Sequence, residues 1–310
     1  MGLEKLVLVT RRTRLEELVT RFNTPGQARF YLEHNGGDFA GYQAEHDAYQ
    51  RALDRVRAEL DIGLPRQSLD RSLVPTCTFT PGDLIVTLGQ DGLVANTAKY
   101  VAGQPIVAVN PDPTRFDGIL MPFPVGKVRP AVEAVLAGRA PLRPVTLAEA
   151  RLTDGQRLLA FNDFFLGART HVSARYRIAW QRRSEEQSSS GVLVSTGAGS
   201  TGWMSSVFRM AAGVTTFTGG SVGQPPTLAW EDRRLLFAVR EPFQSRQSRA
   251  DLVAGLLAPG DALRVQSRMP SGGVIFSDGV EQDYLEFNAG ASVEIRAADE
   301  QAHLAVPLAA

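Results

Sequence analysis

The sequence predicts an α/β domain built on a parallel sheet, followed by an all-β domain. Three observations carry that expectation. The run Asp83–Leu88 is aliphatic or β-branched from Leu84 to Thr87 and breaks into Gly89-Gln90-Asp91-Gly92, and Leu93–Ala102 then reads as a helix. A further strand, Pro105–Val109, completes a strand–helix–strand unit, which implies parallel pairing. Beyond Pro122 the chain changes to many short apolar runs separated by glycine turns, the texture of an all-β domain.

Taken in order, Leu6–Val9 form the first strand, and Arg11–Phe22 a helix with Leu15, Leu18 and Val19 on one face. Thr24 before Pro25 suits an N-cap with proline at the first helical position, starting a helix that runs to about Glu33. After the Asn35–Asp38 turn, a longer helix over Ala40–Leu60 places Tyr49, Leu53, Val56 and Leu60 inward. Its charges Glu45, Asp47, Arg51, Asp54 and Arg55 read as a solvated face. Asn110-Pro111-Asp112-Pro113 closes the strand–helix–strand unit in a rigid turn, and a short helix fits Pro130–Ala137. Strands follow at Arg157–Phe161, Val172–Ala179, Gly191–Val194, Leu235–Val239, Ala262–Val265, Gly273–Phe276 and Ala291–Ile295, with Ser184–Ser190 as a polar loop. No internal repeat is present. The first domain spans 1–124 and is rejoined by 296–310; the second spans 125–295.

Composition narrows the function classes. At 310 residues the chain exceeds one ordinary core, so two domains are expected. Lys plus Arg equals Asp plus Glu at 33 each, so no basic field points to nucleic acid or a membrane surface. The single cysteine, Cys77, excludes an intramolecular disulfide framework and a cysteine-based metal cluster. No window approaches eighteen uninterrupted apolar residues, and the first residues lack a signal or transit pattern, which together place the protein in the cytoplasm.

Two glycine turns carry the chemistry. In the first, strand, turn and helix amino terminus form a usual seat for phosphate. Asp91 would repel that anion. It makes sense as a metal ligand or as the acceptor of a proton from a hydroxyl beside the phosphate, or else it bonds its own backbone in a plain turn. In the second, Gly197, Gly199 and Gly202 satisfy G-x-G-x-x-G. The acidic residue that a dinucleotide fold needs about twenty positions on is missing, since no Asp or Glu lies between Gly202 and Trp230. What remains is a hydroxyl-rich loop able to line a polar nucleotide, with Trp203 either stacking on a base or packing in the core. Asn162-Asp163 reads either as a turn or as an amide and a carboxylate that meet a purine edge and a ribose hydroxyl. Ser277-Asp278-Gly279 reads as a turn between strands or as part of the lining of the cleft.

In order, these motifs resemble the NAD kinase family. The family's G-G-D-G-T loop is similar to Gly89-Gln90-Asp91-Gly92-Leu93, its Asn-Glu pair to Asn162-Asp163, and its T-G-S-T-A-Y loop to Ala198-Gly199-Ser200-Thr201-Gly202-Trp203. The mitochondrial-type branch looks nearest, through Arg12-Thr13-Arg14, Val109–Pro113, Ser189-Ser190-Gly191 and Arg240-Glu241-Pro242. The resemblance implies a Rossmann-like α/β domain, a β-sandwich, and an active site between them. The reaction it implies moves the γ-phosphoryl group of ATP, or a phosphoryl group of polyphosphate, to the adenosine 2′-hydroxyl of NAD. Asp91 would orient or deprotonate that hydroxyl. Gly89, Gln90, Gly92 and Asn110 would bind phosphate or nucleotide, and Asn162, Asp163, Thr201, Gly202, Trp203 and Ser206 would bind NAD. Mg²⁺ is expected on the donor phosphates, with no protein ligand assigned to it, and a homodimer or tetramer is expected. Gln90 replaces a glycine and Leu93 a threonine, both on the donor side. The alternatives are therefore a non-catalytic dinucleotide binder of kinase fold and a related lipid or sugar kinase. The latter would require an exposed apolar patch that the sequence does not display.

Overall fold

The computed structural model describes residues 2–101 and 103–308. Two compact units arise, one from 1–143 with 303–310 and the other from 144–302.

The first unit contains β1 (Lys5–Thr10), α1 (Arg14–Phe22), α2 (Pro25–His34), α3 (Phe39–Glu59), β2 (Arg66–Asp70), β3 (Asp83–Leu88), α4 (Asp91–Ala98), β4 (Pro105–Asn110), β5 (Phe123–Pro124) and α5 (Val128–Leu136). Its sheet runs β2-β1-β3-β4 with every pair parallel, Val7 opposite Ile85 and Val86 opposite Val107. Every residue of β3 is buried, as expected of a strand covered on both faces. Tyr49, Leu53 and Val56 of α3 and Val128, Val132 and Val135 of α5 pack on Leu6, Leu8, Val86 and Val107. That packing sets a boundary at 143/144, later than the 124/125 expected, because the apolar face of α5 belongs to the parallel-sheet core.

Local signals account for the helix starts. Thr13 caps α1 in a reciprocal capping box with Glu16, which delays the helix to Arg14 instead of the expected Arg11. Thr24 caps α2, with Pro25 at its first position. The expected helix Leu93–Ala102 is shorter and begins two residues earlier, at Asp91, and Ala102 lies outside the described residues.

Glu45 corrects the reading of α3. It is buried, not solvated: its Oε1 accepts from Arg11 Nη2 at 3.2 Å and its Oε2 from Arg14 Nε at 2.7 Å. Burial alone would raise its pKa, but the hydrogen bonds and charges of Arg14 and Arg11 outweigh that and hold it below the usual carboxylate range.

The second unit holds β6 (Leu142–Leu152), β7 (Arg157–Ala160), β8 (Asp163–Ala168), β9 (Ala174–Trp180), β10 (Arg183–Ser189), β11 (Val192–Ser195), α6 (Trp203–Phe217), β12 (Leu235–Val239), β13 (Ala254–Leu257), β14 (Leu263–Ser267), β15 (Gly273–Ser277), β16 (Val280–Glu286) and β17 (Ser292–Ala305). The first two residues of β6 and the last three of β17 fall in the first unit, where His303 and Leu304 pair in parallel with Pro105 and Ile106. One antiparallel sheet runs β10-β9-β14-β17, with β6 on β17 and β7 on β6; the other runs β13-β12-β11-β8-β15-β16. Phe164, Val194, Phe237 and Ile275 of the second sheet share a core with Tyr176, Ile178, Val265 and Ile295 of the first.

Three further expectations change here. Ser184–Ser190 is not a loop: β10 pairs along its whole length with β9, and Tyr176 Oη bonds Gln187 Oε1 at 3.0 Å and Ser189 Oγ at 2.7 Å, so the two buried polar side chains of the strand are satisfied inside. The unit is not purely β, since α6 buries Met204 against Leu193, Leu236 and Ala238 on the outer face of the second sheet. The same helix exposes Met210, Val214 and Phe217 at helical spacing, an apolar row that a linear reading did not display. Among the described residues, no helix is long and apolar enough to cross a membrane.

Candidate functional site

In the first unit the candidate site lies where β1, β3 and β4 end, at the carboxyl edge of a parallel sheet, the usual position for ligands in α/β folds. Tyr49 Oη donates to the carbonyl of Leu88 at 3.1 Å and accepts the Arg11 N–H at 3.0 Å, tying α3 to both strand ends. The chain then passes Gly89, Gln90 caps α4 without a side-chain bond, and Asp91 occupies the first helical position. Asp91 Oδ1 accepts the Leu120 N–H at 2.9 Å, so the carboxylate is aimed by a backbone contact 29 residues away. The remaining oxygen has no protein donor among the described residues.

Neither glycine of this turn has a left-handed backbone. A Cβ at Gly89 would stand 2.6 Å from Leu93 Cδ2, so the leucine packs against the turn. Around Gly92 a Cβ would meet nothing within 4 Å. The turn thus holds one glycine against which Leu93 packs and one with open space around it. Asn110 is also engaged within the protein, donating through Nδ2 to Phe116 O at 2.9 Å and accepting the Asp112 N–H at 3.0 Å. Gly118 has φ 63°, and a Cβ there would meet Asn110 Nδ2 at 2.5 Å. The side chain of Asn110 holds that loop.

In the second unit, Asn162 and the turn after β11 come together. Ser195 is paired with Asp163 across β11 and β8. The Asn162 carbonyl accepts the Thr196 N–H at 2.9 Å, and Thr196 Oγ1 donates to Phe161 O at 2.6 Å while accepting the Gly199 N–H at 3.2 Å. Gly197 and Gly199 permit this: a Cβ on the first would lie 1.8 Å from Ala229 O, and on the second 2.1 Å from Asn162 O. These two glycines of the G-x-G-x-x-G pattern thus serve backbone-to-backbone packing.

Asp278, expected in a turn or along the cleft, clamps the start of β8. Its Oδ2 accepts the Phe161 N–H at 3.0 Å and its Oδ1 accepts those of Asn162 at 2.6 Å and Asp163 at 3.3 Å. Its own backbone is left-handed, φ 53°, a conformation Asp tolerates better than most residues. No local signal marks it, because the contacts span more than a hundred residues. Asp163 is 7% exposed beside this clamp. Burial, and after it the Asp278 charge, push its carboxyl up to about 7. The Asn162 side-chain amide is half-buried and has no protein partner among the described residues. Thr201, Gly202 and Ser206 are exposed along the start of α6. Trp203 is half-buried and lies parallel to Phe165, with ring centroids 5.8 Å apart and planes 11° apart. Both readings of Trp203 thus keep an observation, one face on Phe165 and part of the ring in the open.

The comparison with solved structures bears on the fold: a parallel α/β unit followed by an antiparallel two-sheet unit. The chain is similar to the crystal structure of yeast NADH kinase complexed with NADH, with a TM-score of 0.57 at 18% identity over 99% of this chain and 84% of that one. At that identity the likeness is one of fold. No protein-family model matches the sequence, and no curated protein does.

Proposed function

We propose that the protein is an NAD kinase that transfers a phosphoryl group from ATP or polyphosphate to the adenosine 2′-hydroxyl of NAD, giving NADP. The observation that carries the reading is Asp91, a carboxylate fixed by the Leu120 N–H at the first turn of α4, with one oxygen left for a substrate hydroxyl. The fold likeness to a kinase over nearly the whole chain supports it. The acceptor hydroxyl donates its proton toward that oxygen as its own oxygen bonds to phosphorus and the donor's bridging bond breaks. A positioned carboxylate contributes about 10² to 10⁴ in rate to such a step. Asn162 with its open amide, Asp163, Thr201, Gly202, Trp203 and Ser206 are the acceptor-binding residues in this reading.

In this reading Mg²⁺ accompanies the donor phosphates. Among the described residues no group of three His, Cys, Asp or Glu side chains gathers to hold a metal, and Mg²⁺ commonly binds phosphates and waters with only one or two carboxylates. When bound it supplies charge neutralisation on the phosphates.

One observation favours the non-catalytic alternative. Leu93 packs into the turn beside Gly89 and offers no hydroxyl to a donor. Purified protein incubated with Mg²⁺ and NAD, with ATP and polyphosphate in parallel, separates the two. NADP formation that falls by about 10² to 10⁴ in Asp91→Asn, with an unchanged melting profile, is the expected outcome. Full turnover in the variant removes Asp91 from the chemistry. NAD binding without product from either donor supports the non-catalytic alternative.

A further inference from the structure

In the second unit the chain from Phe243 to Arg249 caps β10, the edge strand of its sheet. Backbone bonds fix the cap at both ends: the Phe243 N–H donates to Ser188 O at 2.8 Å and the Arg249 N–H to Glu186 O at 2.9 Å. Within it, Ser245 Oγ accepts the N–H groups of Gln247 and Ser248, both at 3.1 Å, and Ser248 Oγ donates to Phe243 O at 2.7 Å. An irregular segment so tied holds one shape. Together with β9 and β10 it borders a cavity of about 520 Å³ lined by Arg177, Arg246 and Arg249.

The two carboxylates in that lining are already engaged. Glu185 Oε1 accepts the N–H groups of Asp251 at 3.1 Å and Leu252 at 2.9 Å. Glu186 pairs with Arg268 at 3.3 Å. Four guanidinium groups therefore stand against two carboxylates, an excess of two positive charges in a chain whose basic and acidic residues balance at 33 each. Among the described residues the side chains of Arg246 and Arg249 have no partner, and that of Arg177 donates to Ser184 Oγ at 2.9 Å. The Ser184 hydroxyl keeps its own proton to donate, and the amides of Gln244 and Gln247 line the same space. Such a lining suits a ligand rich in acceptors that carries two or more negative charges. Guanidinium forks meet phosphate oxygens two at a time. A lone carboxylate offers one charge and two oxygens, and a chain of phosphates offers more of each.

We propose that this cavity is a binding site for a chain of phosphates, held by Arg177, Arg246 and Arg249. A linear di- or triphosphate reaches it as free inorganic polyphosphate or as the tail of a nucleotide. The lining shares no residue with the turn that carries Asp91 or with the acceptor-binding residues, so the inference goes beyond the kinase reading and does not rest on it.

Isothermal titration of the full chain with tripolyphosphate, ATP and orthophosphate, without Mg²⁺ or NAD, reads binding alone. Tripolyphosphate or ATP is expected to bind about tenfold or more tightly than orthophosphate, because a second phosphate engages a further guanidinium. The tighter of the two names the source of the phosphate chain. In the double variant Arg246→Gln, Arg249→Gln that binding weakens about tenfold, the size left to exposed groups after solvent takes its share. Any heat that the substitutions leave unchanged belongs to another site, so the component they remove is the readout. Should circular dichroism show the double variant misfolded, Arg177→Gln, on the regular strand β9, is expected to weaken the same component. Titrations of variant and parent that superpose overturn the inference. So does orthophosphate binding as tightly as the longer anions, or no binding of either at about 1 mM. NADP formation, assayed on the same variants, judges the kinase reading separately: it continues if only the phosphate-chain site is wrong.

Discussion

Replacing Asp163 by Asn should change how the stability of the second unit depends on pH. In the folded protein the Asp163 carboxyl is raised to about 7 by burial and by Asp278, against 3.8 unperturbed. Between those values the folded state keeps a proton that the unfolded state has released, so stability falls as pH rises, by about 1.36 kcal/mol per pH unit. The stabilising contribution of the neutral form is complete below pH 3.8, declines through the interval and is gone above 7. The full difference is on the order of 4 kcal/mol, a ceiling because solvent penetration reduces it. An amide has the shape of the protonated acid and does not titrate, so Asp163→Asn should gain on the parent by about 2.5 kcal/mol between pH 5 and pH 8. The assay is convenient: all three tryptophans, Trp180, Trp203 and Trp230, lie in the second unit, so their fluorescence in a denaturant series follows the unit that contains Asp163. Parallel pH profiles for variant and parent would refute the reasoning, showing that the carboxyl ionises in the fold as it does in water. Asp278→Asn is an informative control, since it removes the secondary, charge contribution and leaves burial in place.

Two other substitutions test the framework. Gly197→Ala places a methyl 1.8 Å from Ala229 O and should cost about 3 kcal/mol or more, or prevent accumulation of folded protein, whereas Gly92→Ala has open space and should be neutral to slightly stabilising; equal melting temperatures for the two would contradict the packing account. Glu45→Ala leaves Arg11, only 10% exposed, without its carboxylate, and should cost about 3 kcal/mol in a circular-dichroism melt, with little relief from added salt because the pair is buried. A loss under about 0.5 kcal/mol would return Glu45 to the solvated face.

Much of the first unit is legible without coordinates because its information is local. The apolar runs of β1, β3 and β4, the Thr24-Pro25 cap and the stripe Tyr49, Leu53 and Val56 each state their element within a few residues. Glu45 escapes this logic. By helical spacing it belongs with solvated charges, and only the position of Arg11 at the end of β1, 34 residues away, makes it an inward carboxylate. In the second unit the same limit appears at β8: Asn162-Asp163 reads as a turn by composition, and the pairing of Asp163 with Ser195 makes it the start of a buried strand. α6 was hidden because its glycine-rich approach and apolar content resemble the strands around it. Met204, Val207 and Phe208 were the helical signal available.

The sequence by itself determined the succession of a parallel α/β layer and a β-rich unit, the two glycine turns, and the placement of Asp91 at a strand–helix junction. These follow from periodicity and breaker residues, which act over one or two turns of chain. Only the tertiary structure decided which residues those turns serve. It packed Leu93 against Gly89, engaged Asn110 in its own loop and spent Gly197 and Gly199 on backbone contact with Ala229 and Asn162. It also set Asp278 under three N–H groups more than a hundred residues away, and it gathered Arg169, Arg240, Glu241 and Glu281 around one cavity. Those roles depend on distances across the fold and on burial, which no stretch of chain carries within itself.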